Sequence, residues 1–155
     1  MTRDAGAWAG RAVASFAGVG YAPVAPGTAG SLAAVVLGAW AMQGPGWLLP
    51  ALAVAATAAG MAAIPFGVTD RQADPGWVVI DEVAGQWIAL LGLGAITPAG
   101  VLAAFALFRL FDIWKPGPVG WADRQHGAMG IMLDDVIAGA MAAAVLLAAR
   151  WAGVL

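Results

Sequence analysis

The chain of 155 residues has no cysteine and one histidine, His126. Without cysteine there are no disulfides, thiolate nucleophiles or Cys-ligated metals, and the redox compartment stays open. Charge is scarce as well: charged residues make up 10% of the chain, against about 25% in ordinary soluble domains. The net charge is −2 and the basic residues form no stripe, so no nucleic-acid partner is expected. Near the N-terminus, Arg3 and Arg11 interrupt what would have to be an unbroken apolar segment, and no cleaved signal peptide is expected.

What is abundant is apolar surface. Hydrophobic residues reach 62%, well above the roughly 45–50% of soluble domains, and this composition argues for a membrane protein. The length suits one domain over residues 1 to 155. Residues 1 to 20 read as an interfacial segment or short helix. Five apolar runs follow, from about 28 to 42, 47 to 64, 81 to 96, 101 to 113 and 134 to 151, and they predict an all-α fold. The run from Trp47 to Ile64 carries no charge and makes about 27 Å of helix, close to a bilayer core of about 30 Å. Thr28 or Ser31 is an expected N-cap. Asp81-Glu82 and Asp134-Asp135 are expected in first helical turns, where acids meet the positive end of the helix dipole.

If each run crosses the membrane once, residues 43 to 46 and 97 to 100 lie on one side, and 65 to 80 and 114 to 133 on the other. Six of the seven basic residues (Arg3, Arg11, Arg71, Arg109, Lys115 and Arg124) then share the second side, which the positive-inside rule makes cytoplasmic. Trp40, Trp47 and Trp151 fall near one interface, and Trp77, Trp114 and Trp121 near the other, as aromatic belts. Some runs are shorter than the ~17–25 residues of a spanning helix, and so are open to reading as tilted pairs, re-entrant hairpins or buried core helices. The expected architecture is a small polytopic helical membrane bundle with a cytoplasmic-side active site.

This arrangement gathers Thr28, Ser31, Asp81, Glu82, Arg109, Asp112, Lys115, Asp134 and Asp135 at one end. Arg109 and Asp112 share a helix face, and Lys115 precedes Pro116, which biases it out of the helix. Carboxylates without cysteine favour a hard cation such as Mg²⁺. A cation beside Arg and Lys suits a phosphate ester, whose oxygens gain charge during transfer. Neighbouring helix positions point about 100° apart, so one member of each acidic pair is expected at a common centre, and sequence leaves open which one. Gly85 and Gly139 would let helices approach closely. Each feature also has a plainer reading: the acid pairs as caps, Arg109 and Asp112 as a structural ion pair, residues 27 to 31 as a turn, and His126 as a surface residue.

Pro26-Gly27-Thr28-Ala29-Gly30-Ser31-Leu32, Ile80-Asp81-Glu82-Val83 with Gly85, Phe108-Arg109 to Lys115-Pro116, and Gly130 to Asp135 with Ala138-Gly139 together resemble the bacterial phosphatidylglycerophosphatase A family. Trp121, Asp123-Arg124 and His126-Gly127 resemble that family's loop. The match spans roughly residues 18 to 140 in order. Ala128 stands where a second glycine is common, a departure that touches no charged position. The resemblance implies an all-helical, Mg²⁺-dependent enzyme of the bacterial inner membrane that removes the terminal phosphate of phosphatidylglycerophosphate. On that reading Asp81, Glu82, Asp112, Asp134 and Asp135 are candidate metal ligands and catalytic groups. Thr28, Ser31, Arg109, Lys115, Arg124 and His126 are candidate phosphate-binding groups. Two other classes compete. A phosphatidyl transferase acting on CDP-linked lipids resembles a different motif, Asp-Gly-x-x-Ala-Arg followed by Gly-x-x-x-Asp-x-x-x-Asp, which is absent. A transporter or ion-binding protein would use the same carboxylates, but such sites lie near the membrane midplane, where the runs from 47 to 64 and 87 to 108 carry no charge.

Overall fold

In a computed structural model, residues 2 to 68 and 75 to 155 are described. Asp70, Arg71, Gln72 and Asp74 of the expected loop, and the side chain of Arg3, fall outside the description. The described residues form seven α-helices and no strand: α1 (Thr2–Ala14), α2 (Pro26–Ala41), α3 (Leu48–Gly67), α4 (Ile80–Leu90), α5 (Pro98–Trp114), α6 (Pro118–Asp123) and α7 (Gly127–Trp151), with a 3₁₀ turn at Val19–Tyr21.

α4 is the axis of the bundle. Nine of its 11 residues are buried, and it packs against α2, α3, α5 and α7. At about 16 Å it is half a bilayer core in length, so it is a core helix and does not cross alone. Two helices are long and apolar enough to cross a membrane: α3, with 20 residues, and α7, with 25. Among the described residues, then, two of the five runs form helices long enough to cross, and the run from 81 forms the short buried helix, one of the outcomes left open for the shorter runs.

Small residues set the packing distances. The Trp87 indole donates to the Ala34 carbonyl at 2.8 Å, locking α4 to α2, and its ring lies against Gly38. Phe108, fully buried on α5, packs onto Gly85 of α4, and Gly139 of α7 meets the backbone of Gly85. A Cβ on Gly85 would lie 2.5 Å from the Asp135 carbonyl and 2.5 Å from Phe108 Cε2, so the α4–α7 contact requires glycine there. α1 lies on α3 with Gly10 against Ala63 and Gly67, and the Arg11 guanidinium donates to the Gly67 carbonyl at 3.3 Å.

Three helix starts differ from expectation. α2 begins at Pro26, whose fixed φ suits the first helical position, and Ala25 precedes it in the left-handed region. Neither Thr28 nor Ser31 caps it. Thr97 caps α5, accepting from the Gly100 N–H at 3.0 Å, so the connection expected at 97 to 100 is the first turn of a helix. α7 starts at Gly127, which puts Asp134 and Asp135 two turns inside a helix and buried. Gly130 looks like a breaker in sequence, but it sits in α7 because the Gln125 carbonyl passes where its Cβ would be.

Candidate active site

The N-terminus of α4 carries Asp81 and Glu82 in its first turn. Asp135, on the face of α7 that touches Gly85, meets them there. One carboxylate oxygen from each of the three lies within 4.8 Å of the others. Both Asp81 and Glu82 thus reach a common centre, contrary to the expectation that one of them would. The additional methylene of glutamate lets its carboxylate swing back beside Asp81. The pair 134–135 does divide: Asp135 joins the cluster, while Asp134 turns to Lys115.

Arg109 and Lys115 organise the rim. Arg109 Nη1 donates to Asp112 Oδ2 at 2.5 Å, one turn along α5, and stands 3.9 Å from Glu82 Oε1. Asp112 is therefore the guanidinium's partner, and it also acts on the charges of Glu82 and Asp135. Lys115 ends α5 in a left-handed conformation with φ 51°, a common helix-terminating geometry, and the proline that follows cannot continue the helix. Its ammonium donates to Asp134 Oδ2 and to Asp123 Oδ1, each at 2.5 Å, tying α5, α6 and α7 together. Burial alone would lower the Lys115 pKa, but the hydrogen bonds and charges of Asp123 and Asp134 outweigh it and hold the ammonium above its usual range.

The start of α2 closes the site from the third side. Gly27 faces Glu82 and Arg109 so closely that a Cβ there would lie 3.1 Å from Glu82 Cδ and 3.4 Å from Arg109 Nη1. Thr28 is half-buried beside it. Ser31 is fully buried and donates its hydroxyl to the Gly27 carbonyl at 2.9 Å, within the helix. Arg124 and His126 are exposed on the α6–α7 corner. His126 also lines a cavity of about 360 Å³ with Ile64, Pro65, Val68 and Ile131. Ile131 and Asp135 share a face of α7 one turn apart.

Burial dominates the electrostatics. It pushes the Glu82 carboxyl up to about 7; the Asp81 hydrogen bond and Arg109 pull it down, and the Asp112 charge pushes it further up. Glu82 Oε2 is buried with no hydrogen-bond partner. One turn further, Gln86 is fully buried with both amide atoms unpartnered. Gln86 and Asp123 also belong to the site's surroundings, and neither was among the candidate site residues. The four-residue spacing of Glu82 and Gln86 was the available signal for the glutamine.

A metal ion fits this donor set. The ligand atoms are all carboxylate oxygens, as hard cations prefer, and their spread of up to 4.8 Å is near the ~4.2 Å between opposite oxygens around Mg²⁺. A helical bundle that sets buried carboxylates against a guanidinium and a helix N-terminus has the layout of an enzyme for phosphate esters at an apolar interface.

Comparison with known proteins gives the family. The phosphatidylglycerophosphatase A family model matches residues 12–150, and the chain belongs to that family. It is 41% identical over 138 residues to the phosphatidylglycerophosphatase A of Escherichia coli strain K12, covering 83% of this chain and 76% of that protein. With the phosphatidylglycerophosphatase A of Haemophilus influenzae it shares 36% identity over 146 residues, 86% of this chain and 84% of that protein. A protein of Bacteroides thetaiotaomicron named as a putative phosphatidylinositol-3-phosphatase is 39% identical over 147 residues, 86% of this chain and 89% of its own length. No solved structure matches. The chain is accordingly a phosphatidylglycerophosphatase, a phosphoric monoester hydrolase.

Proposed function

We propose that residues 1 to 155 act as one membrane-embedded domain that removes the terminal phosphate of phosphatidylglycerophosphate with Mg²⁺, at the cytoplasmic face of the bacterial inner membrane. The observation that carries this reading is the approach of Arg109 to the carboxylate cluster, 3.9 Å from Glu82 Oε1, beside the start of α2. Asp81, Glu82 and Asp135 would hold the cation, since one carboxylate oxygen of each lies within 4.8 Å of the others. When bound, Mg²⁺ neutralises charge on the phosphoryl oxygens and makes a bound water more acidic.

The remaining groups bind and orient. Arg109 pairs with the terminal phosphate, its guanidinium aimed by Asp112. The first-turn N–H groups of α2, at Gly27 and Thr28, have no carbonyl partner within the helix, and the positive end of that helix favours an anion. The Thr28 hydroxyl adds a donor. Ser31 supports this turn through the Gly27 carbonyl. Lys115, with Asp134 and Asp123, fixes the rim, and Arg124 and His126 meet the lipid headgroup from the exposed corner. The cavity beside His126 takes the apolar start of the diacylglycerol. Hydrolysis breaks the bond between phosphorus and the terminal glycerol oxygen. Water supplies the oxygen that stays on phosphate, and the glycerol oxygen leaves with a proton.

Charge placement supports the orientation. Arg11, Arg109, Lys115 and Arg124 lie at the end of the bundle that holds the cluster, whereas Arg150 lies at the other end, donating to the Gly92 carbonyl. Phosphate release by the detergent-purified protein, with Mg²⁺ and then with excess chelator, tests the reaction. Metal-dependent release from phosphatidylglycerophosphate and not from phosphatidylinositol 3-phosphate is expected. Release from the inositol lipid alone, or none from either, would overturn the substrate assignment.

A further inference from the structure

We propose that Gly27 is a positioning residue for Glu82: its missing side chain is the space that the Glu82 carboxylate occupies in the cluster. The inference rests on the cation-binding reading above and adds to it a residue on another helix.

Glycine at position 27 has no backbone justification. Gly27 is absent from the positive-φ residues, and it lies in the first turn of α2, where alanine would favour the helix. What distinguishes it is its neighbour. A Cβ built there falls inside contact distance of Glu82 Oε1, 3.1 Å from Glu82 Cδ and 3.4 Å from Arg109 Nη1. The atom in the way is the far end of a side chain, so a methyl group would displace the carboxylate and leave the α2 backbone where it is. The structure also locks Gly27 against retreat: the fully buried Ser31 donates to its carbonyl at 2.9 Å, and Val79 packs onto Gly30 one turn on. Glu82 has little freedom elsewhere, since it is held between Arg109 and Asp81 with Oε2 buried. A displaced Glu82 therefore leaves the 4.8 Å cluster.

The test is a double-mutant cycle on Gly27→Ala, Glu82→Asp and the pair, read as Mn²⁺ affinity by electron paramagnetic resonance in detergent, with chelated thermal unfolding alongside. Shortening residue 82 withdraws its carboxylate from Gly27. Gly27→Ala is expected to weaken Mn²⁺ binding at least about tenfold, the scale seen when a group supporting a metal ligand is lost. In the Glu82→Asp background the same change should cost less than about threefold, a non-additivity diagnostic of direct contact. Chelated unfolding of Gly27→Ala should show a smaller loss than Mn²⁺ binding does. Unchanged Mn²⁺ affinity in Gly27→Ala, an equal loss in both backgrounds, or a fall in chelated stability matching the loss of binding would each overturn the proposal. A parent that binds no Mn²⁺ would overturn the cation site itself, a failure visible before any variant is compared.

Discussion

Gly85→Ala tests whether the α4–α7 crossing sets the site. The new Cβ would lie 2.5 Å from the Asp135 carbonyl oxygen and from Phe108 Cε2, where ordinary contact begins at 3.4 Å. The shortfall is 3.4 − 2.5 = 0.9 Å, and one obstacle is backbone, so relief requires the helices to part. Overpacking of this kind costs about 1–3 kcal/mol. Replacing glycine inside a helix returns about 1 kcal/mol. The net loss of stability is therefore modest, about 0–2 kcal/mol by those two principles. The site should suffer far more. Asp135 is carried by the α7 backbone that has to move, so its carboxylate would shift by a comparable distance against Asp81 and Glu82, while Mg²⁺ demands near-ideal geometry. Thermal unfolding in chelator, followed by Mg²⁺ titration of phosphate release, separates the two effects. A variant that keeps Mg²⁺-dependent turnover within about twofold of the parent, well under the tenfold that 1.4 kcal/mol represents, would refute the reasoning.

Lys115→Ala leaves Asp134, which is 5% exposed, without its cation; a loss near 3 kcal/mol is expected in chemical unfolding, partly recovered in Lys115→Ala with Asp134→Asn. Gln86→Leu removes two buried, unpartnered amide atoms, so it should raise chelated stability by about 1–3 kcal/mol; a decrease would reveal a partner such as a buried water. Glu82 binds its proton more tightly folded, with a pKa near 7, than at its ordinary 4.5, so the folded state holds more protons between those values. Stability of the chelated protein should then fall as pH rises from about 4.5 to about 7, by up to roughly 3 kcal/mol, and Mg²⁺ should restore it. Flat stability across that window would show that burial does not hold the proton on Glu82.

The apolar composition, the helical runs and the order of the motifs were legible in the chain because each depends on residues close in sequence. Arg109 and Asp112 are three apart on one helix, so their pairing at 2.5 Å follows from helical geometry. Asp81 and Glu82 open α4 as the dipole argument expects. The start of α7 was not legible, since Gly127 and Gly130 look like breakers until the Gln125 carbonyl is seen against Gly130. Likewise the 11 residues of α4 look like one more crossing until their burial makes them the core.

The sequence by itself determined the class of chemistry, because residue types restrict it: hard oxygen donors, two cations at a helix end and no thiol. Tertiary structure alone decided which carboxylates share a centre. Asp135 joins Asp81 and Glu82 while Asp134 is held by Lys115, and neither outcome follows from spacing, because it depends on how α7 is set against α4, closest where Gly85 and Gly139 let their backbones approach.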